Sequence, residues 1–307
     1  KEENHAMPII RTPDERFTQL PDFPFAPHYV EVGGGARMHY VDEGSGETIL
    51  CLHGEPSWSY LYRKMIPALA AGHRVIAPDL IGFGRSDKYT ETADYTFAMH
   101  HDALVAFLDA LALAHITLVC QDWGGLLGLC LATELPERFA RLVIMNTGLP
   151  TGDEPATRGF LAWQAFALRS TDLPVGRIIR SGTAQNDQLP DAVVAAYEAP
   201  FPDDAYKAGA KAFPALVPTS PDQEASAPLR HARRALARWD KPALVMFSDG
   251  DPITKGGDAF FRRLIPTAKD QPEITITGAG HFLQEDKGEE LATHLLAFLA
   301  RTPRSTV

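Results

Sequence analysis

Eight short runs rich in apolar and β-branched residues punctuate the chain: Tyr29 to Val32, Met38 to Val41, Thr48 to Leu52, Arg74 to Ala77, Ile116 to Cys120, Leu142 to Met145, Ala243 to Phe247 and Ile274 to Thr277. From the third onward they alternate with helical periodicity. In the segment 97–113 the apolar positions Phe97, Leu104, Val105, Leu108 and Leu111 recur near helical spacing, and Leu126 to Leu135 and Leu291 to Leu299 behave alike. Strands alternating with helices imply a mostly parallel sheet covered on both faces. The alternation stops between Gly148 and about Leu229, where the turn-forming Thr151-Gly152-Asp153-Glu154-Pro155 and a helical fragment, Phe160 to Leu168, stand without a clear strand. The expectation is an eight-stranded α/β core in two parts, 1–148 and 231–307, with a helical cap, 149–230, inserted after the sixth strand over the sheet edge.

Composition narrows the partners. A chain of 307 residues can enclose a substantial pocket, and 45% apolar with 22% charged residues is ordinary for a globular protein. The formal charge of −10 speaks against nucleic acid or an anionic membrane, both of which need a basic face, and favours an uncharged or cationic small molecule. The three cysteines, Cys51, Cys120 and Cys130, fall in apolar runs and read as reduced core thiols. No run reaches membrane-spanning length, the first residues lack the apolar core of a signal peptide, and Met7 reads as the natural start. A cytoplasmic, monomeric or weakly associating protein is expected. Gly82-Phe83-Gly84 lacks the third glycine of a dinucleotide loop, Asp249-Gly250-Asp251 runs into Pro252 rather than a calcium loop, and no cysteine–histidine cluster has zinc spacing. No cofactor and no metal are implied.

In open parallel sheets ligands bind beyond the carboxyl ends of the strands. After the fifth strand comes Val119-Cys120-Gln121-Asp122-Trp123-Gly124-Gly125, a sharp strand-to-helix turn with small residues, Cys120 and Gly124, on either side of Asp122. An Asp here is often a helix N-cap. Its alternative is a nucleophile: a carboxylate is already ionised near neutral pH and needs no base before attacking a saturated carbon that carries a leaving group. His281 follows the eighth strand in Gly278-Ala279-Gly280-His281, the best address among the eleven histidines; His5, His28, His100, His231 and His294 read as surface residues. The acid that orients it follows the seventh strand, where Asp251, deeper in the loop and before Pro252, is preferred over its competitor Asp249. The segment Asn146-Thr147-Gly148 after the sixth strand contains no acid. Nucleophile, acid, histidine is the chain order of α/β-hydrolases.

With these residues in place the chain resembles the haloalkane dehalogenases of the α/β-hydrolase superfamily, in the subfamily whose acid follows the seventh strand. The resemblance runs through HGEPSWSYLYRKMIP at 53–67, DLIGFGRSDK at 79–88, LVCQDWGG at 118–125, GFLAW at 159–163, APFPDDAYKAGAKAFP at 199–214 and GAGHFLQE at 278–285. It implies that Asp122 displaces halide and forms an alkyl ester, that His281, oriented by Asp251, activates water to hydrolyse it, and that the backbone amides of Glu55 and Trp123 form the oxyanion hole. It also implies a halide site built from the indoles of Trp123 and Trp163, since an indole N–H donates without titrating; Trp58 and Trp239 are left as packing residues.

Two other readings stand beside this one. Epoxide hydrolases share the Asp elbow but need cap tyrosines to protonate an alkoxide, and Tyr197 and Tyr206 lie in the cap. A non-catalytic small-molecule receptor on the same fold would usually lose part of the nucleophile, histidine and acid set.

Overall fold

The computed structural model describes residues 8–303; the readings of His5 and Met7 fall outside them. Eight strands form one sheet: β1 (His28–Glu31), β2 (Arg37–Gly44), β3 (Thr48–Leu52), β4 (Arg74–Pro78), β5 (Ile116–Gln121), β6 (Phe139–Met145), β7 (Ala243–Ser248) and β8 (Ile274–Ile276). In space they run β8-β7-β6-β5-β3-β4-β2-β1. β2 pairs antiparallel with both β1 and β4, and every other pairing is parallel. All six residues of β5 are buried, which is why its sequence shows no alternation of apolar and polar residues: a parallel strand covered on both faces has no solvent side to present.

The helices in chain order are α1 (Ile66–Ala70), α2 (Phe97–Ala110), α3 (Trp123–Glu134), α4 (Arg158–Arg169), α5 (Val175–Gly182), α6 (Asp191–Glu198), α7 (Ala208–Leu216), α8 (Ser226–Leu236), α9 (Gly257–Leu264) and α10 (Leu283–Arg301). Two begin earlier than periodicity predicts. α3 starts at Trp123 because Gly124 and Gly125 lie inside its first turn. α10 starts at Leu283 and is kinked at Lys287 (φ −138°, ψ 34°); its first turn buries Gln284 and Glu285, polar residues that an apolar pattern cannot register. A two-stranded antiparallel pair, Ile9–Ile10 with Lys88–Tyr89, is too short to carry a period.

The segment between β6 and β7 is helical, as its sequence suggests. α4 packs on α7 and α5 on α6, whereas α8, which runs across residue 230, packs on α3 of the core. His100 departs from the surface reading given by its sequence. It lies in α2, 1% exposed, with its ring stacked on Tyr95 and edge-on to Phe213. Burial drives its pKa down to about 3, so the ring is neutral, and neither nitrogen has a partner among the described residues. Cys51, Cys120 and Cys130 are buried and unpaired, and no described helix is long and apolar enough to cross a membrane.

Candidate active site

Asp122 stands between β5 and α3 with φ 50° and ψ −126°, a strained conformation for a residue with a Cβ. It holds the N-cap position, yet its side chain caps nothing. Oδ1 instead accepts the Glu55 backbone N–H at 2.7 Å, and Oδ2 lies 3.5 Å from Nε2 of His281. The turn closes because of two glycines. A Cβ on Gly124 would sit 2.1 Å from the Leu52 carbonyl oxygen, and one on Gly54 would sit 2.2 Å from Oδ1 of Asp122. Four bonds fix the elbow backbone: Asp122 N–H donates to the Asn146 carbonyl, and the Asp122 carbonyl accepts from the Gly125 and Leu126 N–H groups and from Thr147 Oγ1.

His281 comes from the loop after β8, and its Nδ1 meets Asp251 Oδ2 at 2.9 Å. Burial raises the Asp251 carboxyl, but the charge and hydrogen bond of His281, with bonds from Thr254 Oγ1 and the Ile253 amide, hold it below its ordinary value. Asp249, the competitor, turns away and accepts the Gly278 N–H. Burial also opposes charge on His281; the two flanking carboxylates, Asp251 and Asp122, outweigh it and lift the imidazole to about 10.

A cavity of about 500 Å³ opens over these groups, lined by Glu55, Asp122, Trp123 and His281 from the core and by Phe160, Trp163, Phe166 and Ile178 from the cap. A second recess, of about 350 Å³, reaches Asp122 and Trp123 from the side of Thr147, Phe260 and Arg233. Phe213 stacks on Trp123 (ring centroids 4.3 Å apart, planes at 24°) and sets the plane of that indole. Trp58 donates its N–H to the Ala196 carbonyl, whereas among the described residues no protein acceptor takes the indole N–H of Trp123 or Trp163. Trp123, as the first residue of α3, also offers a backbone N–H with no carbonyl in its own helix to bind. Glu55, Asp122, Trp123, Trp163 and His281 thus border one space, and Asp251 stands behind the imidazole without lining it. No tyrosine of the cap lines it: Tyr197 donates its hydroxyl to Glu285 Oε2 at 2.6 Å, and Tyr206 packs against the core.

Several participants escaped the sequence reading. The Glu55 side chain is buried with neither carboxyl oxygen partnered among the described residues, and burial, aided by the Asp122 charge, pushes its pKa well above the ordinary value. Asn146, where an acid was looked for and not found, donates Nδ2 to the Gly280 and His281 carbonyls and to Ser248 Oγ. Asp286 accepts from the amides of Gly280, Ala184 and Gln185, tying the histidine loop to the cap. Gln121 reaches His281 directly. An Asn or Asp near a strand end is too common for its sequence position to announce such a role.

A family model described as alpha/beta hydrolase fold matches residues 47–288. The chain is 52% identical over 305 residues to a haloalkane dehalogenase of Psychrobacter cryohalolentis, covering 97% of this chain and 100% of that one. It is 51% identical over 303 residues to haloalkane dehalogenase 1 of Mycobacterium tuberculosis (96% and 100%). The tetrameric haloalkane dehalogenase DpaA from Paraglaciecola agarilytica superposes with a TM-score of 0.89 at 40% identity, covering 98% of this chain and 100% of that chain. With half of its residues shared over nearly the full length of such relatives, and with the same architecture, the chain belongs to the haloalkane dehalogenases of the α/β-hydrolase superfamily.

Proposed function

We propose that this enzyme hydrolyses short chlorinated and brominated alkanes to alcohol, halide and a proton, with Asp122 as nucleophile. The observation that carries this is the Asp122 carboxylate, strained into the cavity, capping nothing and held by one backbone N–H. Oδ1 is the oxygen bonded to Glu55, which leaves Oδ2 to attack; the new C–O bond forms as the carbon–halogen bond breaks, and the electron pair leaves with the halide. The indole N–H groups of Trp123 and Trp163 receive that ion in an apolar enclosure, where donors are worth more than in water. In the second step water attacks Cγ of the ester, His281 takes its proton, and Asp251 stabilises the imidazolium. The charge developing on Oδ1 is met by the amides of Glu55 and Trp123.

The cap, 149–230, supplies the roof, including Trp163, and its side chains set the chain length accepted. The cavity volume suits a few-carbon halide, and its mainly apolar lining suits an uncharged one. No cofactor enters the scheme. Three buried thiols support a reducing, cytoplasmic setting. The working assembly state is the monomer; light scattering that returns a tetramer mass, like that of the relative from Paraglaciecola, would replace it. The deciding experiment is bromide release and acidification on bromobutane and dibromoethane. An enzyme that opened styrene oxide and left bromoalkanes intact would overturn the assignment, although the tyrosine geometry already disfavours that chemistry.

A further inference from the structure

Gln121 has no part in the scheme above. It ends β5, one residue before the nucleophile, with no exposed surface. Its Nε2 lies 3.3 Å from the His281 carbonyl oxygen and 3.1 Å from the His281 ring Nε2, while its Oε1 is buried without a partner among the described residues. A carboxamide nitrogen carries two hydrogens and accepts nothing. The main-chain carbonyl is an acceptor in every state of the enzyme, so it fixes which end of the amide faces the imidazole. The second N–H then points at Nε2 and finds a lone pair only when that nitrogen is unprotonated.

Nε2 is thus contested. Asp122, 3.5 Å away, favours a proton on it, and Gln121 disfavours one. While both Asp122 and Asp251 are ionised, the carboxylates prevail. Formation of the ester changes the balance, because the negative charge of Asp122 departs with the halide. Asp251 remains, but on the opposite nitrogen. The other ionisable groups around the imidazole do not take over. Glu55 lies against Asp122, and its burial disfavours the charged form; Asp286 is engaged by the Gly280 and cap amides, and Arg177 lines the cavity as a cation, which opposes protonation.

We propose that Gln121 is a positioning residue that donates to Nε2 of His281 in the ester state, keeping that nitrogen free of a proton until the hydrolytic water delivers one. The inference rests on the roles given above to Asp122 and His281. In the step it serves, the water oxygen bonds to Cγ of Asp122 and one water proton passes to Nε2. Collapse of the tetrahedral adduct breaks the bond from Cγ to the alkyl oxygen. The alkoxide takes the proton from Nε2 and leaves as alcohol, and the regenerated acid releases its own proton to solvent. A protonated Nε2 loses the Gln121 bond, which makes the imidazolium a readier donor to the alkoxide.

The test measures ester decay across pH, after rapid mixing with bromobutane, in wild type, Gln121→Met and Gln121→Glu. Methionine keeps the volume and removes the donor. The acid limb of ester hydrolysis should move up by about 0.5–1 pH unit in the Met variant, the size expected for loss of one hydrogen bond, and further in the Glu variant. Below the limb, hydrolysis should fall severalfold more than the bromide burst does. An unmoved limb with uniformly slower decay in both variants would reduce Gln121 to a space-filler and overturn the inference. The underlying reading stands or falls separately, on whether wild type forms the ester at all. A second measurement is independent of Gln121 variants folding: ¹⁵N NMR of histidine-labelled Asp122→Asn, whose neutral amide stands in for the ester. An unprotonated Nε2 at neutral pH supports the proposal, and a protonated one refutes it.

Discussion

Two carboxylates and a carboxamide within reach of one imidazole give each residue a separable signature. Asp122→Asn removes the attacking charge and should cost at least about a thousandfold in turnover, with no burst of bromide. His281→Gln leaves the first step and stops the second: about one bromide per enzyme is released and the ester persists. Mass spectrometry of that variant after bromobutane should show a butyl group on the peptide carrying Asp122, and an unmodified peptide would contradict the covalent route. For Trp163→Phe the loss of one donor to an anion should weaken bromide binding by roughly tenfold, read from quenching of the remaining tryptophans. The meeting of Asp122, His281 and Asp251 in space was legible because each follows a strand in a fixed order. The choice between Asp251 and Asp249 was legible only as a preference, since it depends on which carboxylate the loop turns inward.

At the scale of single elements, the site depends on how a helix begins. Thr157 caps α4 by accepting the Phe160 N–H, and its own hydroxyl donates to the Ile253 carbonyl in the loop that carries Asp251. Thr157→Ala should therefore loosen the helix bearing Trp163 by about 1 kcal/mol. A rise in KM and in the bromide Kd, larger than any change in the rate of ester hydrolysis, is the expected readout. At the other end of the site, Gly124→Ala forces a methyl against the Leu52 carbonyl. Denaturant titration should show a loss of about 1–3 kcal/mol, or a protein that no longer folds. Strands and core helices follow from periodicity, which their burial creates. The start of α10 and the crossing of residue 230 by α8 do not, because both are decided by which neighbours those segments pack on.

Across the whole molecule, buried ionisable groups set the acid limit of stability. Glu285 is held by Arg63 at 2.6 and 2.8 Å, by Tyr197 and by Lys64, which join core, cap and α10. Burial raises its pKa, but these partners pull it down to about 2. A carboxyl depressed in the folded state stabilises the protein above its unfolded pKa of 4.5, and that contribution is lost as pH falls from there towards 2. His100, buried neutral at about 3 against 6.5 when unfolded, favours the unfolded state as pH falls below 6.5. The melting temperature should accordingly begin to decline below pH 6.5 and fall faster below 4.5. His100→Phe should flatten the first part and leave the second; an unchanged profile would remove His100 from this account. Arg63→Met strands a carboxylate in the core and should cost about 3–5 kcal/mol.

By itself the sequence determined the sheet with its inserted helices, the chain order of Asp122, Asp251 and His281, and the presence of a carboxylate at the strand-to-helix turn. Each of these is a local property, a period or a residue type at a strand end. Tertiary structure decided what those groups feel: that burial raises the pKa of the Glu55 carboxyl, that Gln121 and Asn146 reach the histidine, and that Tyr197 is committed to Glu285 instead of the cavity. Protonation and hydrogen-bond partnership are set by distance and burial between residues far apart in the chain, and no pattern along the chain encodes them.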